Sequence, residues 1–275
     1  MICQIHRKGV KMEGSDAEKN QDPVKEFKAM HDVNRKNGPP AEQVERMFDS
    51  ISKHYDLLNH LLSLGTDRSW RRKAVDMIGK HGRPRTILDV ATGTGDLAIE
   101  AMRLAPEKVT GIDISTGMLE EGRRKIARKG YAGLIELMSG DAMSTGFPDG
   151  TFDAAMSAFG VRNFEDTLRG LREMFRVLRP GGIIMVLEFS RPSVFPLKQI
   201  YGFYFRRLLP LIGRRVSGDR EAYSYLPDSV MSFPDNENFL TLLSSAGFIQ
   251  VSQRRLSGGI ASIYAGLRPG TDLAQ

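Results

Sequence analysis

The chain has 275 residues, of which 41% are hydrophobic and 26% charged, and its formal net charge is +6. This composition is ordinary for a globular protein, and no apolar run approaches the roughly 20 residues that cross a bilayer. The one cysteine, Cys3, excludes an internal disulfide and a cysteine metal cluster, and no other residues have metal-ligand spacing. Because no signal-peptide pattern follows the first basic residues, we expect a cytoplasmic protein without a metal.

The chain begins with a polar segment of mixed charge, which predicts a disordered extension over residues 1–40. Residues 41–268 are expected to form a single domain, followed by a short tail over 269–275. Across 41–82, apolar residues recur at spacings of three and four, which predicts helices. The second of these helices is predicted over 67–78, with Trp70, Ala74, Val75 and Ile78 on its inward face.

Short apolar runs then alternate with helical patterns, which is typical of βαβ units and a parallel sheet. Strands are predicted at 86–91, 109–114, 134–138, 152–159 and 183–189, with helices at 96–104, 116–129 and 165–178. An insertion over 191–233, a helix at 237–246 and an antiparallel strand pair at 248–256 and 260–267 follow. We therefore predict an α/β, Rossmann-like fold: a mostly parallel seven-stranded sheet, helices on both faces, and a helical insertion before the last helix.

A glycine-containing turn joins the first strand to the next helix, in the sequence Asp89-Val-Ala-Thr-Gly93-Thr94-Gly95-Asp96. Glycines let the backbone turn sharply and let a ligand approach closely, and the spacing also fits dinucleotide binding. A pyrophosphate would face two carboxylates here. The sulfonium and ammonium groups of S-adenosylmethionine (SAM) would instead be attracted to them, so SAM is favoured over a nicotinamide cofactor.

Two further carboxylates follow later strands. Asp113 lies 18 residues after Gly95, where a carboxylate can accept hydrogen bonds from both ribose hydroxyls. Asp141 and Ala142 follow the third strand, where the adenine would lie. Each has a structural alternative, since Asp113 could cap the next helix and Asp141 could stabilise a turn. Together, the glycines and carboxylates favour a class I SAM-dependent methyltransferase.

Several stretches resemble the bacterial C-methyltransferases of menaquinone and ubiquinone biosynthesis, the UbiE/MenG family. The segment 55–70 reads Tyr-Asp-Leu-Leu-Asn-His-Leu-Leu-Ser-Leu-Gly-Thr-Asp-Arg-Ser-Trp, and 176–190 reads Arg-Val-Leu-Arg-Pro-Gly-Gly-Ile-Ile-Met-Val-Leu-Glu-Phe-Ser. Residues 159–163 and 219–227 are also similar, and the resemblance covers nearly all of 41–268. The sequence departs from the family at Asp67, where histidine is usual, and at Ala158, where a serine often stands.

The resemblance implies methyl transfer from SAM to a ring carbon of a polyprenylated quinol. It also implies that Thr94, Asp113, Asp141 and Ala142 contact SAM. Demethylmenaquinol, converted to menaquinol in the last step of menaquinone biosynthesis, is the expected substrate, because residues 65–72 look more like the menaquinone-only members. The alternatives are 2-methoxy-6-polyprenyl-1,4-benzoquinol of ubiquinone biosynthesis, or both quinols.

Arg162 follows the fourth strand, at the edge where α/β sheets bind ligands. Its guanidinium cannot act as a base, but it could stabilise a phenolate, while Asn163 could orient the ring. The alternative is a surface ion pair between Arg162 and Glu165 or Asp166. Further candidates for the substrate pocket are Tyr55, Asp67, Tyr223 and Tyr225.

The basic residues are concentrated between Arg191 and Arg220, where seven Lys or Arg accompany one Asp. Within 195–216, aromatic and aliphatic residues are interleaved with four arginines. Such segments bind anionic membrane surfaces, so we expect a lid over the quinol that contacts the inner face of the membrane peripherally. The alternative is an ordinary helix packed on the core.

Three other classes of protein share parts of this pattern. A nucleic-acid methyltransferase acting on base nitrogens would carry an Asn/Asp-Pro-Pro-Tyr/Phe motif where this chain has Ala158-Phe-Gly-Val161, so no nucleic-acid partner is expected. A nicotinamide-dependent oxidoreductase is disfavoured by Asp89 and Asp96. A non-catalytic partner that binds SAM or quinol within a biosynthetic complex ranks lower, because no cofactor motif is damaged. The oligomeric state is open, with a homodimer as one option.

Overall fold

The computed structural model describes residues 39–52, 55, 56, 60, 63, 65–192, 195, 196, 199 and 229–270. The chain divides into two units, Met1–Arg35 and Lys36–Gln275, and every described residue lies in the second. Residues 1–38 of the predicted extension and residues 271–275 of the predicted tail lie outside the described residues. The domain limits therefore stay predictions.

Two helices precede the sheet: α1, Ala41–Ile51, and α2, Asp67–His81. Helix α2 buries Trp70, Ala74, Val75 and Ile78, the four residues predicted to face inward. It ends before Gly82 with Lys80 and His81 in its last turn, where positive charge is favoured by the helix dipole.

The sheet has seven strands in the order β3-β2-β1-β4-β5-β7-β6. The first five pair in parallel, and β7 is antiparallel to both β5 and β6, so the predicted mixed topology is confirmed. Strand β5 begins earlier than predicted because Leu178 pairs with Phe152. The strands are β1 Thr86–Val90, β2 Lys108–Asp113, β3 Ile135–Ser139, β4 Phe152–Ala158, β5 Leu178–Phe189, β6 Ile249–Leu256 and β7 Ala261–Leu267.

Helices cover both faces of the sheet, as predicted. On one face, α2 packs with α3, Asp96–Ala101, and α4, Thr116–Arg128. On the other, α5, Thr167–Val177, packs with α6, Glu237–Ser245. Each face has its own buried apolar cluster, so the sheet is the middle of three layers.

The insertion over 191–233 connects β5 to the segment before α6, and most of it lies outside the described residues. An ion pair joins the first residue of the insertion to the segment that follows it. Asp235, which is buried, accepts hydrogen bonds from the backbone N–H of Arg191 at 2.8 Å and from Nη2 at 2.5 Å. The two ends of the insertion are therefore held together at the carboxyl end of β5.

Strand order reverses between β1 and β4, because β2 and β3 extend the sheet to one side and β4 to the other. Loops from adjacent strands diverge at such a point and leave a crevice at the carboxyl ends of the strands. Asp113 ends β2 at this edge, and the predicted glycine loop, Asp141 and Asn163 follow β1, β3 and β4 there.

Candidate active site

A cleft of about 680 Å³ opens at the carboxyl edge of β1–β4. Its walls include five of the residues that the sequence predicts for the site, Gly93, Asp113, Asp141, Ala142 and Asn163. Helix α1 contributes the apolar side of the cleft, through Ala41, Val44 and Phe48.

A second, smaller cavity of about 360 Å³ adjoins the cleft, and we call it the inner cavity. Tyr55, Ala91, Gly93 and Phe159 line both spaces. The walls found only in the inner cavity are mostly polar: Arg71, Asp89, Thr92, Thr94 and Asp96, with Leu97 and Ala158. One elongated ligand with an apolar-aromatic end and a charged end would fit the two spaces together.

The glycine loop has the left-handed backbone that its sequence predicts. Gly93 has φ +55° and Gly95, the residue that precedes α3, has φ +77°. A side chain at either position would be strained, which explains why glycines stand there. Ala91 and Phe159 also have positive φ, at +53° and +60°, and both line the two cavities. Strained non-glycine residues concentrate at functional sites.

Asp113 joins the end of β2 to the glycine loop. Its Oδ2 accepts a hydrogen bond from the backbone N–H of Gly93 at 2.7 Å, and its Oδ1 accepts one from Ser115 N–H at 2.9 Å. Burial raises the pKa of Asp113, although these two hydrogen bonds oppose the rise. The residue that caps α4 is Ser115, which accepts from Met118 N–H, so the capping alternative for Asp113 is wrong.

Asp89 is fully buried against the inner cavity. Its Oδ2 accepts a hydrogen bond from Thr92 Oγ1 at 2.6 Å. Oδ1 has no hydrogen-bond partner of good geometry among the described residues, and the nearby backbone N–H of Ala98 only partly opposes the effect of burial on the pKa. Burial raises the pKa of Asp89 to about 7. A buried carboxylate oxygen without a donor is costly unless a cation or donor approaches it, which makes this oxygen a candidate ligand contact.

The hydroxyl of Thr94 is engaged within the protein. It donates to Asp56 Oδ1 at 2.6 Å and accepts from Lys125 Nζ at 2.9 Å. Lys125 also contacts Asp56 and lies 2.7 Å from Asp96 Oδ1. The hydroxyl proton of Thr94 is therefore already donated to Asp56. Neither Lys125 nor Asp56 was predicted: Lys125 belongs to no motif, and Asp56 lies in the family-like stretch 55–70 without a role assigned to it.

Asp141 stabilises a turn at the wall of the cleft, and its contact with the adenine stays a prediction. It lines the cleft and is exposed, and its Oδ1 accepts a hydrogen bond from Met143 N–H at 2.8 Å, as a turn aspartate does. Ala142 lies beside it in the same wall. Asp49 ties α1 to the start of α4, because its Oδ1 accepts hydrogen bonds from Ser115 Oγ at 2.6 Å and from Gly117 N–H at 3.0 Å. Asp49 was not predicted.

Arg162 lines neither cavity and forms a buried ion pair with Glu188. The two side chains are 4% and 0% exposed, and Arg162 Nη1 lies 3.0 Å from Glu188 Oε2. The same nitrogen donates to Phe159 O, and the guanidinium lies 5.6 Å from the Phe189 ring centre. The alternative of an ion pair on the protein surface is therefore wrong, because the Arg162 side chain is buried. Glu188 could have been noticed as the one charge in the apolar run of β5.

Asp67 has a different role from the predicted one. It is 3% exposed and does not line either cavity. Burial alone would raise its pKa, but Arg71 at 2.5 Å, Ser63 Oγ at 2.8 Å and His60 at 3.0 Å lower it below the ordinary value. Asp67 is thus a structural carboxylate, and its assignment to the substrate pocket is corrected. Tyr55 does line the cleft, whereas Tyr223 and Tyr225 lie outside the described residues.

The described part of the chain contains neither a metal site nor a membrane-spanning helix. Within it, no three His, Cys, Asp or Glu side chains are grouped closely enough to hold a metal ion. Nor does any helix in these residues have the length and apolar character that crossing a bilayer requires.

The fold is shared with solved structures of low sequence identity. The cyclase SpnF superposes with a TM-score of 0.62 at 18% identity, covering 85% of this chain and 97% of that one. A Thermotoga maritima SAM-dependent methyltransferase, described as a possible histamine N-methyltransferase, gives a TM-score of 0.57 at 19% identity, covering 82% and 99%. Because one of these is a cyclase, fold alone does not specify the chemistry.

Sequence relatives are much closer. Demethylmenaquinone methyltransferase of Bacteroides fragilis is 48% identical over 83% of this chain and 93% of its own length. The Porphyromonas gingivalis protein of the same name is 47% identical, over 84% and 94%. The Geobacter sulfurreducens ubiquinone/menaquinone biosynthesis C-methyltransferase UbiE is 48% identical, over 82% and 88%. Residues 35–268 match the model of the ubiE/COQ5 methyltransferase family, and the chain therefore belongs to that family.

Proposed function

We propose that this protein methylates a ring carbon of demethylmenaquinol with SAM, giving menaquinol. The observation that carries the proposal is the adjoining pair of cavities around the glycine loop, in a chain 48% identical to a relative named demethylmenaquinone methyltransferase. One cavity has the size and apolar walls for a nucleoside, and the other has the charges for an amino acid.

The residues present fit SAM. Asp113, Asp141 and Ala142 would hold the adenosine part in the cleft, where the Asp113 carboxylate suits a ribose. Asp89, Gly93, Thr94 and Gly95 would hold the methionine part, and the unpartnered Asp89 Oδ1 suits its ammonium group. When bound, SAM supplies an electrophilic methyl group on a sulfonium.

The acceptor carbon must be electron-rich. A quinol hydroxyl resembles that of tyrosine, with a pKa of about 10, so only about 0.1% is ionised at pH 7. Asn163, which lines the cleft, would orient the ring. Arg162 would favour the phenolate through its permanent positive charge, and the buried Glu188 would hold its guanidinium in place. These catalytic roles are part of the proposal.

A methoxy-polyprenyl-benzoquinol of ubiquinone biosynthesis is the second candidate substrate, because a relative whose name includes both pathways is equally 48% identical. The test is a detergent assay with radiolabelled-methyl SAM in which both quinols are offered side by side. We expect transfer to demethylmenaquinol with the higher kcat/KM, and none to the oxidised quinone. Tight SAM binding without transfer to either quinol would contradict the quinol assignment.

We also propose that the segment 195–216 brings the enzyme to the cytoplasmic face of a membrane, where a polyprenyl quinol resides. Phe195 supports this, since its side chain is 77% exposed. The rest of the segment, apart from Pro196 and Gln199, lies outside the described residues. A homodimer stays a prediction.

A further inference from the structure

Arg71, on α2, is the one cationic residue among those that line the inner cavity. Its side chain is 9% exposed. Nη2 lies 2.5 Å from Asp67 Oδ2 and 2.9 Å from Asp96 Oδ2, so one corner of the guanidinium is fixed by two carboxylates. Within the described residues, Nε and Nη1 donate to no acceptor. A guanidinium has five N–H donors, so this one keeps capacity for another anion.

Asp89 lines the same cavity and interacts electrostatically with Arg71. Its Oδ1, which has no hydrogen-bond partner of good geometry, could bind a cationic group. The Arg71 guanidinium could bind an anionic group in the same cavity. A free amino acid head carries both groups on one carbon. The inner cavity is therefore complementary to the α-ammonium and α-carboxylate of a zwitterion.

We propose that Arg71 binds the α-carboxylate of the methionine part of SAM, and that Asp67 and Asp96 hold the guanidinium in place for it. The inference rests on the proposed position of the cofactor. It assigns to α2 a direct contact with the cofactor, in addition to the packing of Trp70 and Val75 beneath the sheet.

The opposing explanation is structural: Arg71 would merely tie α2 to the start of α3 through Asp67 and Asp96. The two explanations differ in which ligands they affect. A structural role affects every ligand of the site alike, whereas a carboxylate contact affects only ligands that have the carboxylate.

The test is calorimetric binding of SAM, decarboxylated SAM and 5′-methylthioadenosine to the full chain. Decarboxylated SAM lacks only the carboxylate, and methylthioadenosine lacks the whole amino acid. We expect the wild type to bind SAM about 10- to 100-fold more tightly than decarboxylated SAM, the range for a charged hydrogen-bonded pair. Arg71→Met should remove that preference and leave methylthioadenosine binding within about 2-fold. Arg71→Lys should keep part of the preference.

Arg72→Met is the matched control, since Arg72 is the next residue on α2 and its side chain is 65% exposed; it should change none of the three affinities. A wild type without preference for SAM over decarboxylated SAM would overturn the inference. So would an equal loss for all three ligands in both Arg71 variants. Failure of the wild type to bind SAM at all would instead contradict the proposed function.

Discussion

Glu188 Oε2 lies 3.0 Å from Arg162 Nη1, in an ion pair that is almost completely buried where β5 ends beside the loop after β4. Glu188 also accepts hydrogen bonds from the backbone N–H groups of Arg162 and Phe189. The pair thus fixes the loop that places Phe159 and Asn163 in the wall of the cleft.

Glu188→Gln should leave the Arg162 charge buried without its counterion. We expect the free energy of unfolding to fall by about 3–5 kcal/mol, as for other broken buried pairs. The double variant Glu188→Gln with Arg162→Gln should recover part of the stability but not the methyl transfer. Urea unfolding checks this, with Glu107→Gln as the control, because the Glu107–Arg85 pair is on the surface. A double variant no more stable than the single one would contradict the account.

Asp89 should make cofactor binding depend on pH. Its pKa is about 7 in the folded protein against 3.8 ordinarily, so between about pH 4 and 7 the folded state holds a proton that the unfolded chain has lost. Its contribution to stability therefore falls as pH rises through that window. A bound ammonium favours the carboxylate, so binding releases the proton, and SAM affinity should rise about 10-fold between about pH 5.5 and 7.

Calorimetry in buffers of different ionisation enthalpy measures the released proton directly. Asp89→Asn should abolish both the proton release and the pH dependence, whereas Asp149→Asn, on an exposed turn, should change neither. Proton release that persists in Asp89→Asn would assign the titration to another group.

Asp67→Asn should weaken the ion pair that holds the Arg71 guanidinium in place, without affecting proton transfer in the reaction. Because the pKa of Asp67 is already lowered by Arg71 and Ser63, it does not titrate near neutral pH. We expect a lower Tm and a higher KM for SAM, with the pH profile of kcat unchanged. Asp76→Asn, on the exposed face of the same helix, is the control. Loss of a limb of the kcat profile in Asp67→Asn alone would contradict the structural role of Asp67.

Changing Arg206, Arg207, Arg214 and Arg215 to Glu should reduce binding to anionic vesicles, because each basic residue near such a surface contributes about 1 kcal/mol. Co-sedimentation with phosphatidylglycerol vesicles measures this, and transfer to a short-chain, water-soluble quinol should be retained. Unchanged sedimentation would contradict membrane contact through 195–216.

Much of the fold was predictable, because the alternation of short apolar runs with amphipathic helices determines a parallel sheet. The glycine loop and Asp113 were predictable too, since the residues that need a left-handed turn or end a strand are adjacent in sequence. The pairs Arg162–Glu188, Lys125–Asp56 and Asp49–Ser115 were not. Each pair joins residues that are far apart in the chain and come into contact only because separate elements pack together. The periodicity of the sequence does not indicate such contacts.

The central claim is carbon methylation of demethylmenaquinol, and the structure of the product tests it most directly. The purified full chain would be incubated in detergent with demethylmenaquinol and SAM carrying a ¹³C-labelled methyl group, and the product analysed by NMR and mass spectrometry. We predict one added methyl group whose ¹³C signal correlates with ring carbons. A methyl group on a quinol oxygen, or bound SAM without any methylated product, would contradict the account, and the latter would favour a non-catalytic role.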